Sequence, residues 1–327
     1  MESFVFYLIL LITAPLIPGL INEVKAFWAG RTGPPLLQPY YELIRLLKKS
    51  QVISDATTPV FRLAPAVTLA GVLCAAMFVP VAGQQAFLSF DGDFILFAYL
   101  LALARAFTIF SAMDTASSFE GMGASREATF SALMEPAFFI IFAALAILTG
   151  FKSFSQVPLI IPPPVAVTAG SSLLDNIIWV EKIWWRTGIL IPGVSGALVL
   201  GFLILVENSR MPVDDPDTHL ELTMIHEVMV LDNSGPDLAM IQYGSALKMA
   251  MLTTLISVMF IPGWLPVWLG CCIYFLILAL VAVVVGTIES VMARLRMTHV
   301  PQFIFGAVSV ALLVIFVIEI VRLGNLI

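Results

Sequence analysis

Five charged residues of this 327-residue chain, Arg105, Asp114, Glu135, Glu207 and Glu289, sit in or at the edge of apolar runs. A charge at the centre of a bilayer costs roughly 2.5 to 3.5 kcal/mol on insertion scales, so such groups are kept for pairing or for function. A carboxyl group shielded from water can take up and release protons near neutral pH, which is the chemistry of a proton path. Glu135 stands just before Pro136, and two readings are open for it. It is either an acid at a helix start, favoured by the helix dipole, or a buried acid that exchanges protons. Arg105 is a candidate partner for Asp114, and Glu319 reads as an acid reaching back to water from the end of the last span.

The stretch 207–237 carries eight of the 22 acids: Glu207, Asp214, Asp215, Asp217, Glu221, Glu227, Asp232 and Asp237. Asp215-Pro216 reads as an N-cap followed by proline in the first turn, opening a helix that ends near Ser234-Gly235-Pro236. On that helix Asp217 and Glu221 share a face and repel by a few tenths of a kcal/mol if both are ionised. Such a pair either faces water or lines a polar cavity where one member keeps its proton. His219 and His226 are seven apart, not the four apart with an intervening glutamate of a zinc helix, so a hydrogen-bonded or proton-relaying role suits them better than a metal. Cys74, Cys271 and Cys272 form no CxxC, so any iron-sulfur or other redox centre is expected in a partner chain.

The elements that carry these groups follow from composition. Hydrophobic residues make up 60% of the chain and charged residues only 12%, against about 25% charged in soluble proteins. A water-soluble enzyme is excluded, and a net charge of -6 supplies no basic face for nucleic acid. Apolar runs predict eight spanning helices, at 4–20, 63–82, 94–111, 132–148, 189–206, 247–261, 267–287 and 303–323. The first run lacks a basic flank and a cleavage site and is expected to be retained. A further apolar stretch, 154–170, holds Pro158 and Pro162-Pro163-Pro164 and reads as an external or re-entrant loop. The fold class is therefore all-α integral membrane, one polytopic domain over 1–327, with loops at about 22–62, 112–131, 207–246 and 288–302 on the cytoplasmic side. Those loops, with Lys248 counted among them, hold eleven of the basic residues, against Lys152, Lys182, Arg186 and Arg322 opposite, which puts both termini on the non-cytoplasmic side. Within the first loop, Leu36, Tyr40, Leu43, Ile44 and Leu47 recur at helical spacing, the pattern of an amphipathic helix at the membrane surface.

Several motifs fall in a familiar order. Asn22-Glu23-Val24-Lys25, Arg31-Thr32-Gly33-Pro34 and Leu37-Gln38-Pro39 resemble the first cytoplasmic loop of subunit 1 of respiratory NADH dehydrogenase, complex I. The same loop occurs in its homologues, the membrane subunits of formate hydrogenlyase and other energy-converting (group 4) NiFe hydrogenases. Gly123-Ala124-Ser125-Arg126-Glu127 with Glu135-Pro136 is similar to the segment after the third helix. Glu207 to Asp214, followed by Asp217 and Glu221, resembles the acidic loop after the fifth helix, and Met292 to Arg296 the basic loop before the last. Ser111 to Thr115 and Ser290 to Arg296 look more like the hydrogenase branch, as do Val213 and His219 where complex I has phenylalanine and glutamate.

The resemblance implies a non-catalytic subunit that docks the soluble arm of a larger oxidoreductase onto an ion-pumping membrane arm. Glu135, Glu207, Asp214, Asp217 and Glu221 would belong to the line of acids, with Asp114, His219 and His226 as relays. Glu23, Arg31, Gly33, Pro34, Arg126, Arg210 and Arg294 would shape the docking face, which in quinone-reducing relatives forms the chamber entrance. Implied partners are hydrogenase-like large and small subunits carrying the NiFe centre and iron-sulfur clusters, antiporter-like membrane subunits and the lipid of the cytoplasmic membrane. The implied ion is a proton or sodium. A quinone-binding subunit of a complex-I-like enzyme and a stand-alone ion-coupled transporter are the two rival readings.

Overall fold

The structure, a computed structural model, describes residues 2–159, 190–214 and 224–324. All regular elements among them are helical. The first run is two helices, α1 (Glu2–Thr13) and α2 (Leu16–Trp28), because Pro15 and Pro18 lack the N–H groups that would carry the hydrogen-bond ladder across the joint. A surface helix α3 (Gln38–Leu47) follows, with Pro39 in its first turn. Helix α4 (Pro59–Ala76) starts on Thr58, whose Oγ1 accepts the Val60 N–H. Next come α5 (Asp93–Asp114), α6 (Ser118–Thr149), a 3-10 turn over Phe154–Leu159, and α7 (Leu190–Glu207). The short α8 (His226–Met229) precedes α9 (Gly235–Phe260), α10 (Val267–Val291) and α11 (Val300–Gly324).

Among the described residues, six helical stretches are long and apolar enough to cross a membrane: α1 with α2, α4, α5, α6, α9 and α10. Shorter apolar helices at Gly193–Glu207 and Val300–Phe316 fall in the two remaining expected spans. Helix α9 is the pillar: it packs against α4, α7, α10, α3 and α1, and it is far more buried than α5 or α10. Its polar residues bond within the helix, as Thr253 to the Met249 carbonyl (2.8 Å) and Thr254 to Ala250 (2.7 Å), so neither hydroxyl presents an unpaired group to the apolar interior. Around it α4 packs on α5, α6 on α11, and α2 on α10.

Two expected boundaries move. Helix α6 starts at Ser118, not at 132, and runs through Pro136; neighbouring helices and 3-10 adjustments allow an interior proline in membrane helices. Glu135 is therefore mid-helix, and the reading of it as a helix-start acid falls. Helix α9 starts at Gly235, not at 247, so Ser234-Gly235-Pro236 opens a helix instead of closing one. Proline in the first turn is the favoured arrangement, and Gly235 sits at φ +56° with the Ser50 carbonyl 2.9 Å from where a Cβ would be. Lys248, counted among the loop cations, is thus inside a spanning helix.

Helix α3 forms as expected, but its faces differ from the spacing pattern. Leu46 is the buried residue, Tyr40 and Leu43 are half-buried, and Tyr41, Ile44 and Leu47 are exposed. The Tyr40 hydroxyl donates to the Ile12 carbonyl, tying α3 to the end of α1. Most of the stretch 154–170 and the Asp215-Pro216 helix start lie outside the described residues, as does the side chain of Glu319.

Candidate functional site: a charged cluster beneath a polar cavity

Arg105 lies on the buried face of α5, with Leu101, Ala104 and Thr108 at helical spacing beside it. Its guanidinium gathers three carboxylates. One Nη donates to Glu135 Oε1 at 3.1 Å, the other Nη donates to Glu207 Oε1, and Nε lies 3.8 Å from Glu127 Oε1. Glu127 and Glu135 are eight apart on α6, about two turns, and so share a face. Glu207 is the last residue of α7, and Lys248 Nζ of α9 donates to its main-chain oxygen at 3.2 Å. Four helices thus place two cations against three acids. If all five are ionised, one negative charge is in excess, which a single proton would cancel. Glu127 and Glu207 are buried, whereas the Glu135 side chain is 44% exposed on the far side of Arg105.

Three further ion pairs lie beside this cluster. Arg210 Nη1 and Lys25 Nζ hold the fully buried Glu289 carboxylate, each at 3.3 Å. Arg294 Nη2 reaches Asp214 Oδ1 at 2.7 Å, while Asp214 Oδ2 accepts the N–H groups of Ile225 (2.9 Å) and His226 (3.2 Å). Arg126 Nη1 donates to the Met224 carbonyl at 2.8 Å. The segment 224–229 is thereby stitched to α6 and to the loops after α7 and α10. Gly123 makes room for it, since a Cβ there would run into Val228 and stand 2.9 Å from the Ile225 carbonyl oxygen.

Above the cluster lies a cavity of about 180 Å³ between α2, α3, α9 and the 226–230 segment. Pro15, Pro39, Leu43 and Ile241 supply apolar wall, and Glu42, Arg210, His226 and Gln242 supply polar groups. A second space of about 20 Å³ is lined by Thr68, Thr108, Arg105, Glu127, Lys248 and His226. Burial, reinforced by the Lys248 and Arg210 charges, pushes the His226 imidazole down to about 3, so it is neutral at physiological pH.

A family described as NADH dehydrogenase matches residues 1–320. The chain belongs to the NADH dehydrogenase family. It is 31% identical over 314 residues to formate hydrogenlyase subunit 4 of Escherichia coli (strain K12), covering 94% of each chain. It is 30% identical over 254 residues to hydrogenase-4 component C of the same organism, with 78% and 73% covered. Against an NADH-quinone oxidoreductase subunit of Methylococcus capsulatus the identity is 24% over 291 residues, with 86% and 84% covered. The fold matches a chain of the membrane-bound sulfane sulfur reductase, an archaeal respiratory membrane complex, with TM-score 0.75 and 18% identity, covering 97% and 100%.

Within this NADH dehydrogenase family member the structure brings Glu135 and Glu207 to one guanidinium and places Asp214, Arg210, Arg294 and His226 one layer above. Asp214 is spent on Arg294 and two backbone donors. Asp114 does not meet Arg105: its Oδ2 accepts from Thr58 N (2.7 Å), Thr58 Oγ1 (2.9 Å) and Phe61 N (3.2 Å), holding the start of α4. Glu23 lies within the second half of α2 and Arg31, Gly33 and Pro34 follow its end, and all four are exposed. Asp217, His219 and Glu221 lie outside the described residues.

Glu127 and Lys248 are the site residues that sequence reasoning passed over. Glu127 stands two turns before Glu135, a spacing that counts only once α6 is known to start at Ser118. Lys248 is a cation between Leu247 and a long apolar run, and counting it with the preceding loop hid its place in the helix.

Proposed function

We propose that this chain is a non-catalytic anchor and coupling subunit of a hydrogenase-type complex, linking electron transfer in soluble partners to movement of protons or sodium across the cytoplasmic membrane. The observation that carries this reading is the Arg105 cluster. Three carboxylates around one guanidinium at membrane depth give poor stability per charge, because desolvation offsets most of the attraction. They do give a site whose proton content responds to a nearby charge. Moving one charge through the membrane potential takes about 2.3 kcal/mol per 100 mV, so a redox change beside Asp214 and His226 has to bias these acids by that much.

Higher identity to the two hydrogenase relatives than to the Methylococcus quinone oxidoreductase relative favours partners of the hydrogenase kind: large and small soluble subunits bearing the NiFe centre and clusters, with antiporter-like membrane subunits alongside. Glu23, Arg31, Gly33, Pro34 and Arg126 would face that soluble arm, and both termini would lie on the non-cytoplasmic side. The second reading, a quinone-binding subunit, draws on the cavity beneath α3, where Arg210 and Gln242 would donate to a quinone headgroup and Leu43 and Ile241 would flank its ring.

Purification of the native complex in mild detergent with mass spectrometry of its subunits tests the assignment. A co-purifying nickel-ligating large subunit is the expected result. A large subunit without nickel-ligating cysteines, isolated with bound quinone, would move the chain to the second reading. Ion-coupled turnover of reconstituted Glu207→Gln tests the coupling role, with loss of coupling in an assembled complex expected.

A further inference from the structure

The large cavity and the small one share three wall residues, His226, Ile241 and Ser245. Ile241 is buried and aliphatic and closes the way to a proton. Ser245 offers a hydroxyl, and His226 alone of the three is a group that both accepts and donates at separate ring atoms. Behind them, the small space of about 20 Å³ has room for one water molecule. Its polar rim includes the Glu127 carboxylate, and Arg105 Nε is buried there without a hydrogen-bond partner among the described residues, 3.8 Å from Glu127 Oε1. A donor and an acceptor at that separation, beside a water-sized space, are the partners a bridging water requires.

We propose that His226 is the proton relay between the cavity beneath α3 and the Arg105 cluster, with Glu127 as the first acid to receive the proton. This rests on the coupling reading above and adds to it the point of entry. One ring nitrogen of the neutral imidazole takes a proton from a hydronium ion in the large cavity, leaving water there, as the other releases its own to the water beside Glu127. That water passes a proton to the Glu127 carboxylate. The imidazole is left in its other tautomer and resets by exchange, so the net change is one proton moved inward and no electron transferred. Ser245 lies on the same wall and can hydrogen-bond the waters on either side.

The test uses the whole complex reconstituted in vesicles, reading proton movement with a pH-sensitive dye and substrate turnover in parallel. His226→Ala is expected to lower proton movement per turnover at least 10-fold, and added imidazole, which can enter the large cavity, is expected to restore a substantial part of it. His226→Asn, a smaller change, takes its place if the alanine variant does not assemble. Glu207→Gln serves as the reference. If Glu207→Gln uncouples and the His226 variant stays coupled, the relay is wrong while the coupling role stands. A His226 loss that imidazole does not relieve also overturns the relay, because it makes the side chain a structural prop. If neither substitution uncouples, the coupling reading itself fails.

Discussion

Removing Arg105 should do more damage than removing any one carboxylate around it. Without the guanidinium, Glu127 and Glu207 are left as buried acids facing each other, and breaking a buried pair by deleting one partner costs about 3–5 kcal/mol. Arg105→Met is expected to lower the thermal midpoint of the detergent-purified complex and reduce its yield, as read by a melting assay. Glu135→Gln, at the exposed edge of the cluster, should leave assembly intact and strongly lower ion-coupled turnover; unchanged coupling would remove Glu135 from the path. His226 makes a separate pH prediction. Its folded pKa of about 3 lies below the value of about 6.5 in an unfolded chain, so its contribution to stability is whole above pH ~6.5. That contribution falls by up to about 1.4 kcal/mol per pH unit as the medium becomes more acid, because only the unfolded chain gains the proton. The melting temperature should drop between pH 7 and pH 5, and His226→Phe should flatten that slope.

At the scale of elements, the segment 224–229 is held by few strong ties: Asp214, Arg126 and the close approach to Gly123. Arg126→Glu puts an acid where a donor to the Met224 carbonyl stood, and the released segment should no longer support the soluble arm, so co-purification of soluble subunits is expected to fall. Gly123→Leu should act through the same segment by steric exclusion, with limited proteolysis near 224–234 as the readout. Helix α6 shows why such elements were only half legible. Hydropathy sees the apolar half from 132 onward, but the polar half from Ser118 is helical because it packs against the 224–229 segment, and that contact is made across a sequence separation of about a hundred residues.

For the whole molecule, the basic residues at 25–62 and those opposite them predict opposite sides of the membrane. A single cysteine at Lys48 should react with a membrane-impermeant maleimide only from the cytoplasmic face, and one at Lys152 only from the other; the reverse pattern would invert the topology. In the proposed topology, the expected docking face, the cavity beneath α3 and the Arg105 cluster would form a column from the cytoplasmic surface into the bilayer. The proposed coupling requires such a column, so that chemistry in a soluble partner can bear on acids at membrane depth.

The amino-acid sequence alone determined the class of this protein, because long apolar runs in water have no solution other than burial in lipid, and it marked Glu135, Glu207 and Arg105 because charges in such runs are costly. It also determined the family, through motifs spread from the first loop to the last. Which charges meet was decided only by tertiary structure. Arg105, Glu127, Glu135, Glu207 and Lys248 come from four helices, and no local spacing encodes the packing angles that bring them to one point. Asp114 shows the same limit from the other direction: it sits nine residues from Arg105 on one helix, yet its carboxylate is drawn to the free N–H groups at the start of α4, which nothing in its own segment reveals.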